Sequence, residues 1–540
     1  MIGLLALTLG LAHANPPAID SIYLVMVDRF HNGKPSNDGD ANPADPSAFH
    51  GGDIAGLMAK LDTIEALGVD TIWLTPLGSM REERIAEHGA FHGYWPDNNR
   101  RIAPRFGSSA ELQALRSELE ARGLKLILDA VLNHVGPDTT LTQTHPEWFN
   151  TNGDIVDWSD PEQRRNNDVH GLPDLNHTHP EVVRHLLKDG RYWLRTARPD
   201  GFRIDAVRHM EPAFLKTWIE TMSAAAPAPL VFAGEIYDGN PVAVANEAAS
   251  TGLTHSFDFP LYYALTESIC AEGDLRKIAA VLTQDRRHPD GHEWITFLDN
   301  HDTARVQTVC GENTEAAFTF MTSMRGIPSI TWGTEAGFTG KTELEARASM
   351  QFDALPHQGW LARLLDDRRA YTPLIAGQTD LLKSKADQLV IARVMTHDAV
   401  VIAVDAPTKP VLPKEAGSVQ WIPITEEGRV RRWLITPEPG QNFEAWEARI
   451  AAEQTQTKTV QVELASTDRL SGSDSAVGAW DPAQSIGPGT VEVSLPAGGV
   501  VALKTLKQAE DGTITWSKQA DHFVDVDEAA VKDEAIRLGR

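Results

Sequence analysis

Residues 201–209 read Gly201-Phe202-Arg203-Ile204-Asp205-Ala206-Val207-Arg208-His209. Apolar Phe202 and Ile204 alternate with Arg203 and Asp205. In a strand, neighbouring side chains point to opposite faces, so Arg203 and Asp205 share one face. An arginine held beside an aspartate favours the ionised carboxylate. A carboxylate kept charged at a strand end is a candidate nucleophile or electrostatic stabiliser. Taken alone, such a pair reads first as a structural ion pair at a loop.

Outward from this stretch the chain repeats the same theme. Eight short apolar runs lie at 21–27, 70–74, 124–128, 201–205, 230–233, 254–257, 294–298 and 328–332. Amphipathic helical patterns separate them, at 54–67, 108–122, 180–196, 213–226 and 315–324. Strands alternating with helices over this length predict an α/β fold, a closed (β/α)8 barrel. A doubly wound open sheet is the alternative, weakened by the lack of a Gly-rich phosphate loop after the first run. A barrel carries its chemistry at the C-terminal strand ends. Four runs end there in polar clusters: Asp129 to Asn133-His134, Arg203-Asp205 to His209, Gly234-Glu235, and Asp299-Asn300-His301-Asp302. Four clusters at corresponding positions outweigh the ion-pair reading of one.

The reading divides the chain into a leader at 1–14, a barrel at 15–372 and an excursion domain at 135–178. A β-sandwich follows at 373–455, a second all-β unit at 456–528 and a charged tail at 529–540. The excursion, longer than a usual barrel loop, holds Trp148, Phe149 and Trp158, an aromatic content that argues against disorder. Residues 439–457 read as a linker or a final irregular stretch. Residues 1–14 form an apolar run ending Ala-His-Ala, which fits an export leader, although no Lys or Arg stands at its start. A secreted or periplasmic protein is the expectation. Cys270 and Cys310 do not make a disulfide framework, and a bridge and two buried thiols read equally well. A formal net charge of -26 argues against nucleic acid or an anionic membrane as partner and suits a neutral substrate.

The four clusters resemble, in order and residue by residue, the four short conserved regions of the α-amylase family, glycoside hydrolase family 13. Leu172-Pro-Asp174-Leu-Asn176 is similar to that family's fifth region, and His92-Gly-Tyr94-Trp95 to its sugar-stacking segment. The resemblance implies Asp205 as nucleophile, Glu235 as general acid/base and Asp302 as transition-state stabiliser. It implies that Arg203 orients Asp205, that Tyr94 stacks on the sugar, and that His134 and His301 hydrogen-bond it. Retaining glycosidases need two carboxyls about 5–5.5 Å apart, one attacking and one protonating the leaving oxygen. Glu235 follows the apolar run 230–233, and burial there should raise its pKa.

The resemblance also implies calcium. One family site maps to Asn133, Asp174 and the backbone carbonyl of His209. A second, similar to one in cyclodextrin glucanotransferases and neopullulanases, maps to Asn32, Asn37, Asp38, Gly51 and Asp53. Lys34 stands within that loop where those enzymes often carry Asn or Asp, and its charge could weaken the site or replace the metal. Oxygen ligands from distant segments suit calcium.

Within the family, Arg208-His209 resembles a Lys-His pair that contacts the leaving glucan. Cyclising enzymes place an aromatic near the position of His170, so a histidine there favours hydrolysis. Tyr237 keeps an aromatic at a site linked to transfer, and Arg347 and Glu343 match the donor side. Val477-Gly-Ala-Trp480-Asp-Pro, Lys504 and 511–516 resemble a family 20 starch-binding module, whose platform would be Trp480, Lys504 and Trp516; the alternative is that both tryptophans are core residues of a small sandwich. The expectation is a calcium-dependent α-amylase-type hydrolase acting on starch, maltooligosaccharides or cyclodextrins. A cyclodextrin glucanotransferase or other 4-α-glucanotransferase is the alternative within the family, and a non-catalytic starch-binding protein the alternative outside it.

Overall fold

A computed structural model of the chain describes residues 18–85, 88–289, 291–406, 408–509, 513–532 and 535–538. The leader at 1–14 lies outside the described residues, as do 510–512 of the last tryptophan motif and 539–540 of the tail.

Eight strands close into a parallel barrel: β1 (Ile22–Val25), β2 (Thr71–Leu74), β3 (Lys125–Ala130), β4 (Gly201–Ile204), β5 (Val231–Gly234), β6 (His255–Phe257), β7 (Glu293–Thr296) and β8 (Ile327–Thr331). Each apolar run of the sequence overlaps one of them. β1, β2, β4, β5 and β8 are buried at every position, which is why β1, β2 and β5 read as nearly continuous apolar runs. Helices between them start and stop where local chemistry says. Ser108 caps the helix Ser109–Arg122 by accepting from Glu111 N, and Gly123 ends it at φ +72°. Asn240 caps Pro241–Thr251, which ends at Gly252 with φ +81°. Such caps are each worth about 1 kcal/mol.

The excursion after β3 carries the short helices Thr140–Thr144 and Pro161–Asn166. Isolated bridges His134↔Asp174 and Phe149↔Leu175 fold its end back on its start.

The unit expected as a β-sandwich is instead one antiparallel sheet of β9 (Gln378–Lys385), β10 (Gln388–Val394), β11 (Ala399–Val404), β12 (Val419–Thr425) and β13 (Val430–Pro437). Alternation sends Leu389, Ile391, Val400 and Ile402 to the barrel's apolar cluster. Val390, Ala392, Val401 and Ala403 face the other way, onto Trp446 and Ile450. Those two belong to a helix, Glu444–Thr455, which occupies the stretch read as a linker. Only Trp446 and Ile450 of that helix are buried, so its sequence shows little apolar periodicity.

The last unit has two small sheets. Thr457–Glu463 pairs with Thr490–Pro496 and, in parallel, with Ile536–Arg537; Val500–Gln508 pairs with Arg469–Gly472, Ile514–Trp516 and His522–Asp525. The charged tail therefore contributes a strand, preceded by the helix Val526–Lys532. This unit is tied to the barrel by Arg287 Nη2 to Asp474 Oδ2 at 2.7 Å and Val500 N to Thr283 Oγ1 at 2.9 Å. Cys270 and Cys310 are joined in a disulfide within the barrel unit. Among the described residues no helix is long and apolar enough to cross a membrane.

Candidate active site

Strand register brings the chemistry together. Asp129 of β3 pairs in register with Arg203 of β4, and Arg203 with Ala233 of β5. The ladder continues past the strand ends: Asp205 N donates to the Ala130 carbonyl at 3.1 Å, and Glu235 N to the Ile204 carbonyl at 2.9 Å. Both acids are thus carried to the barrel mouth by the sheet itself. The chain then turns at Ala206, φ +51°, whose N–H donates to Glu235 Oε2 at 2.9 Å.

Arg203, only 2% exposed, serves three carboxylates. Its Nη1 donates to Asp205 Oδ1 at 2.6 Å and Asp129 Oδ1 at 2.9 Å, and its Nη2 lies 2.8 Å from Glu235 Oε1. A buried guanidinium requires such partners. One positive charge shared among three acids cannot hold all of them ionised. Burial pushes the Glu235 carboxyl up to about 8, with the Asp205 and Asp302 charges adding to the effect. Its own ion pair with Arg203 pulls the other way and is outweighed. Burial likewise raises Asp129 to about 6, helped by Asp205 and opposed by Arg203 and the Tyr94 hydroxyl. Asp302 moves the opposite way. Burial would raise it, but His301, Arg347 and Arg203 together hold it below the usual carboxylate range.

The surrounding side chains are fixed by short contacts. Tyr94 Oη donates to Asp129 Oδ2 at 2.6 Å, and its ring lies parallel to His301, 5.0 Å between centroids. His134 Nε2 donates to the Tyr94 carbonyl at 3.0 Å. His301 Nε2 lies 3.0 Å from Asp302 Oδ2, and Arg347 Nη2 donates to Asp302 Oδ1 at 2.7 Å. His134 Nδ1 and His301 Nδ1 are buried without a protein partner among the described residues, which leaves each a nitrogen to bond a ligand. Arg208 Nη1 donates to the Tyr237 carbonyl at 3.1 Å and pairs with Asp238 Oδ2 at 3.0 Å, while His209 Nδ1 donates to the Arg164 carbonyl at 2.9 Å.

These groups line a cavity of about 850 Å³. It gathers Asp205, Glu235 and Asp302 with Tyr94, His134, Arg208, His209, Tyr237, His301 and Arg347; Arg203 lies behind the wall. Sequence reasoning gave no role to Asp129, although an aspartate ending the apolar run 124–128 beside Arg203 was a readable signal. It also gave none to Trp158 and Arg164, which the excursion domain hangs over the cavity. Trp158 sits in an irregular turn, where aromatic content was the only signal, and Arg164 in the six-residue helix Pro161–Asn166, which has no buried residue and so shows no apolar period.

Two oxygen-rich places lie beside this centre. The Asn133 amide faces Asp174 Oδ1 at 3.3 Å and the His209 carbonyl at 2.6 Å. With its oxygen turned inward, three oxygens converge from the barrel and the excursion domain, a donor set that fits a hard cation. Burial pushes the fully enclosed Asp174 carboxyl up to about 8. In the other place Asn37 Oδ1, Asp38 Oδ1 and Asp53 Oδ2 are buried without a partner among the described residues. Asn32 Nδ2 donates to Asp38 Oδ2 at 2.7 Å, and any Cβ on Gly51 would press on both side chains. Lys34 does not fill this place: its ammonium pairs with Glu111 Oε1 at 2.7 Å. Among the described residues no three His, Cys, Asp or Glu side chains group as a metal site, so both places depend on amide and carbonyl oxygens as well.

Away from the cavity, Trp480 and Trp516 come together with centroids 6.2 Å apart, inclined at 59°. Lys504 Nζ donates to Asp521 Oδ1 at 3.0 Å.

Comparison with known proteins follows the same outline. A family profile described as "Alpha amylase, catalytic domain" matches residues 24–168 and 142–371. A Beta/alpha-amylase of Paenibacillus polymyxa is 32% identical over 358 residues, 62% of this chain, but the match spans only 29% of that relative. A Cyclomaltodextrin glucanotransferase of Klebsiella oxytoca is 27% identical over 461 residues, covering 72% of this chain and 70% of the relative. Among solved structures, the alpha-amylase of Geobacillus thermoleovorans complexed with acarbose superposes with a TM-score of 0.66 at 26% identity, over 93% of this chain and 97% of that one. With the family profile spanning the whole barrel, from β1 to the end of the last barrel helix, this chain belongs to the alpha-amylase family.

Proposed function

We propose that the protein is an exported retaining glycoside hydrolase that cleaves α-1,4-glucosidic bonds in starch and related glucans. The observation that carries this reading is the pair of carboxyls on one guanidinium, Asp205 and Glu235 on Arg203, with burial pushing Glu235 up to about 8. Two acids this close suit the retaining geometry of about 5–5.5 Å rather than the wider inverting one. Below pH 8 Glu235 carries a proton and gives it to the glycosidic oxygen. Arg203 holds Asp205 Oδ1, so Oδ2 is the oxygen left to attack the anomeric carbon. Once the leaving glucan departs, Glu235 takes a proton from water, which opens the covalent intermediate. Asp302, kept ionised by His301 and Arg347, faces the developing positive charge on the sugar ring. The names of the relatives, amylases and cyclodextrin-forming enzymes, support this substrate class.

Calcium fits both oxygen-rich places. Asn133, Asp174 and the His209 carbonyl would hold one ion, and Asn32, Asn37, Asp38, Gly51 and Asp53 a second. Bound there, calcium supplies charge neutralisation and cross-linking rather than bond chemistry. Trp480, Lys504 and Trp516 would bind starch through indole faces. The Cys270–Cys310 bridge supports an oxidising compartment, hence export.

A second reading, glucan transfer, is favoured by Trp158. Its half-exposed ring lies 5.5 Å from His170 at the cavity's edge, an apolar lip that suits a sugar acceptor better than water. Incubation with soluble starch and analysis of products decides. Short linear maltooligosaccharides establish hydrolysis; cyclic or elongated products overturn it in favour of transfer. Granule binding without any cleavage would overturn both.

A further inference from the structure

Gly478, Ala479 and Trp480 all adopt the left-handed conformation, with φ of +88°, +46° and +63°. Glycine takes it freely; alanine rarely does, and for a residue as bulky as tryptophan it is an outlier that the surroundings must impose. The surroundings here do. Ala479 N donates to the Asp474 carbonyl and Trp480 N to the Gly472 carbonyl, each at 2.9 Å. Asp474 is itself clamped to the barrel by Arg287. The ring so placed packs on the apolar cluster that the barrel shares with Val500, Ala502 and Phe523, not on the last unit's own core.

The same turn is tied to the catalytic loop. Asn240 Nδ2 donates to the Ala479 carbonyl at 2.6 Å. Asn240 N donates to Asp238 Oδ1 at 2.8 Å, and Asp238 Oδ2 pairs with Arg208 at 3.0 Å. Three polar contacts in series therefore join the strained turn to an arginine that lines the cavity beside Glu235. The segment between, Glu235 to Asn240, also carries Tyr237.

We infer that Trp480 is a positioning residue for the leaving-group side of the cavity, acting through Ala479, Asn240 and Asp238 on Arg208. The last unit then supports that side from behind, without lining the cavity itself. This rests on the glycosidase reading above for what occupies the cavity. It assigns Trp480 a role that a free sugar platform would not have.

Asn240→Ser tests it. Serine keeps an N-cap oxygen for the helix at Pro241–Thr251, but its shorter side chain lacks the amide N–H that reaches the Ala479 carbonyl. Two substrates are compared: a linear maltoheptaose, whose leaving group is a glucan, and an aryl α-maltoside, whose leaving group is not. The variant should lose about 5-fold in kcat/KM on maltoheptaose while the aryl maltoside is turned over as before. Trp480→Ala should lower the ratio of the two kcat/KM values likewise, and Trp480→Phe should restore it. Equal loss on both substrates in Asn240→Ser, or no loss on either, overturns the inference. In an Asp205→Asn background, calorimetry reads the same contrast in binding without turnover, with maltoheptaose weakened about 5-fold and the aryl maltoside not. A wild-type chain that cleaves neither substrate would defeat the glycosidase reading, and this binding contrast would still decide the inference.

Discussion

The catalytic cavity and the tryptophan pair of the last unit both gather rings and charges, yet they are built differently. In the cavity, position comes from strand ladders: Asp205 and Glu235 are each held by a backbone bond to the strand before. Charge there is buried and shared, three acids to one arginine. In the last unit, Trp480 stands on a strained turn and Trp516 on a short strand, and Lys504 is spent on the partly exposed Asp521. Buried shared charge makes the first region intolerant of single changes. The second should yield gradually, because exposed pairs and ring contacts are each worth little.

The sharpest way to break this contrast is Asp205→Asn. It removes the proposed nucleophile and leaves Arg203 with Asp129 and Glu235. Starch hydrolysis should fall by more than about 10⁴-fold, measured by reducing-sugar release. Retained hydrolysis would refute the assignment and with it the claim that the shared guanidinium organises the site.

Glu235→Gln should cost about 10²–10⁴-fold, and it carries a pH signature. The wild-type rate should decline as pH rises through about 8, where Glu235 loses its proton. Stability follows the same group. Its folded pKa lies above the free value of 4.5, so the folded state binds this proton more tightly than the unfolded one. That stabilisation is fully present below about 4.5 and is lost as pH rises towards 8. Glutamine cannot lose a proton, so the Tm of Glu235→Gln should gain on wild type progressively from pH 4.5 to 8. A gap that stays constant with pH would show that Glu235 is not the buried, proton-holding group.

How far the sequence could be read follows the same division. The barrel was legible because strands buried on both faces appear as apolar runs and because a barrel puts its chemistry at their ends. That rule brings out the clusters that hold Asp205, Glu235 and Asp302, while singling out these three acids took the family resemblance. Loop-borne groups could not. Trp158 reaches the cavity from an irregular segment, and no period marks it. The helix Glu444–Thr455 was missed because two buried side chains leave no apolar stripe. The strain at Trp480 is invisible in sequence, since nothing in Gly-Ala-Trp says that the turn continues left-handed past the glycine.

Chelation probes a smaller effect on the cavity side. If calcium joins Asn133, Asp174 and the His209 carbonyl, it ties the excursion domain to the segment that carries Asp205. EDTA should then lower Tm by several degrees, since about 2–3 kcal/mol of ligand stabilisation shifts a large domain by that much. Activity should fall with it, and added calcium should restore both. An unchanged Tm in EDTA would remove calcium from the reading and leave the Asn133 amide as a plain hydrogen-bond donor to its two neighbours.

Trp516→Ala is expected to do least. Its ring is partly exposed and lies 6.2 Å from that of Trp480, inclined at 59°. An aromatic contact of this kind contributes about 0.5–1.5 kcal/mol, so binding to starch granules should weaken between about 2-fold and 10-fold, measured by depletion from solution. Trp480→Ala should weaken it further, because it removes a ring and releases the strained turn at once. If Trp516→Ala leaves granule binding untouched, the pair is packing rather than a sugar platform. The last unit would then act on the cavity only through Asn240, and the contrast drawn between the two regions would become a contrast between a site and its support.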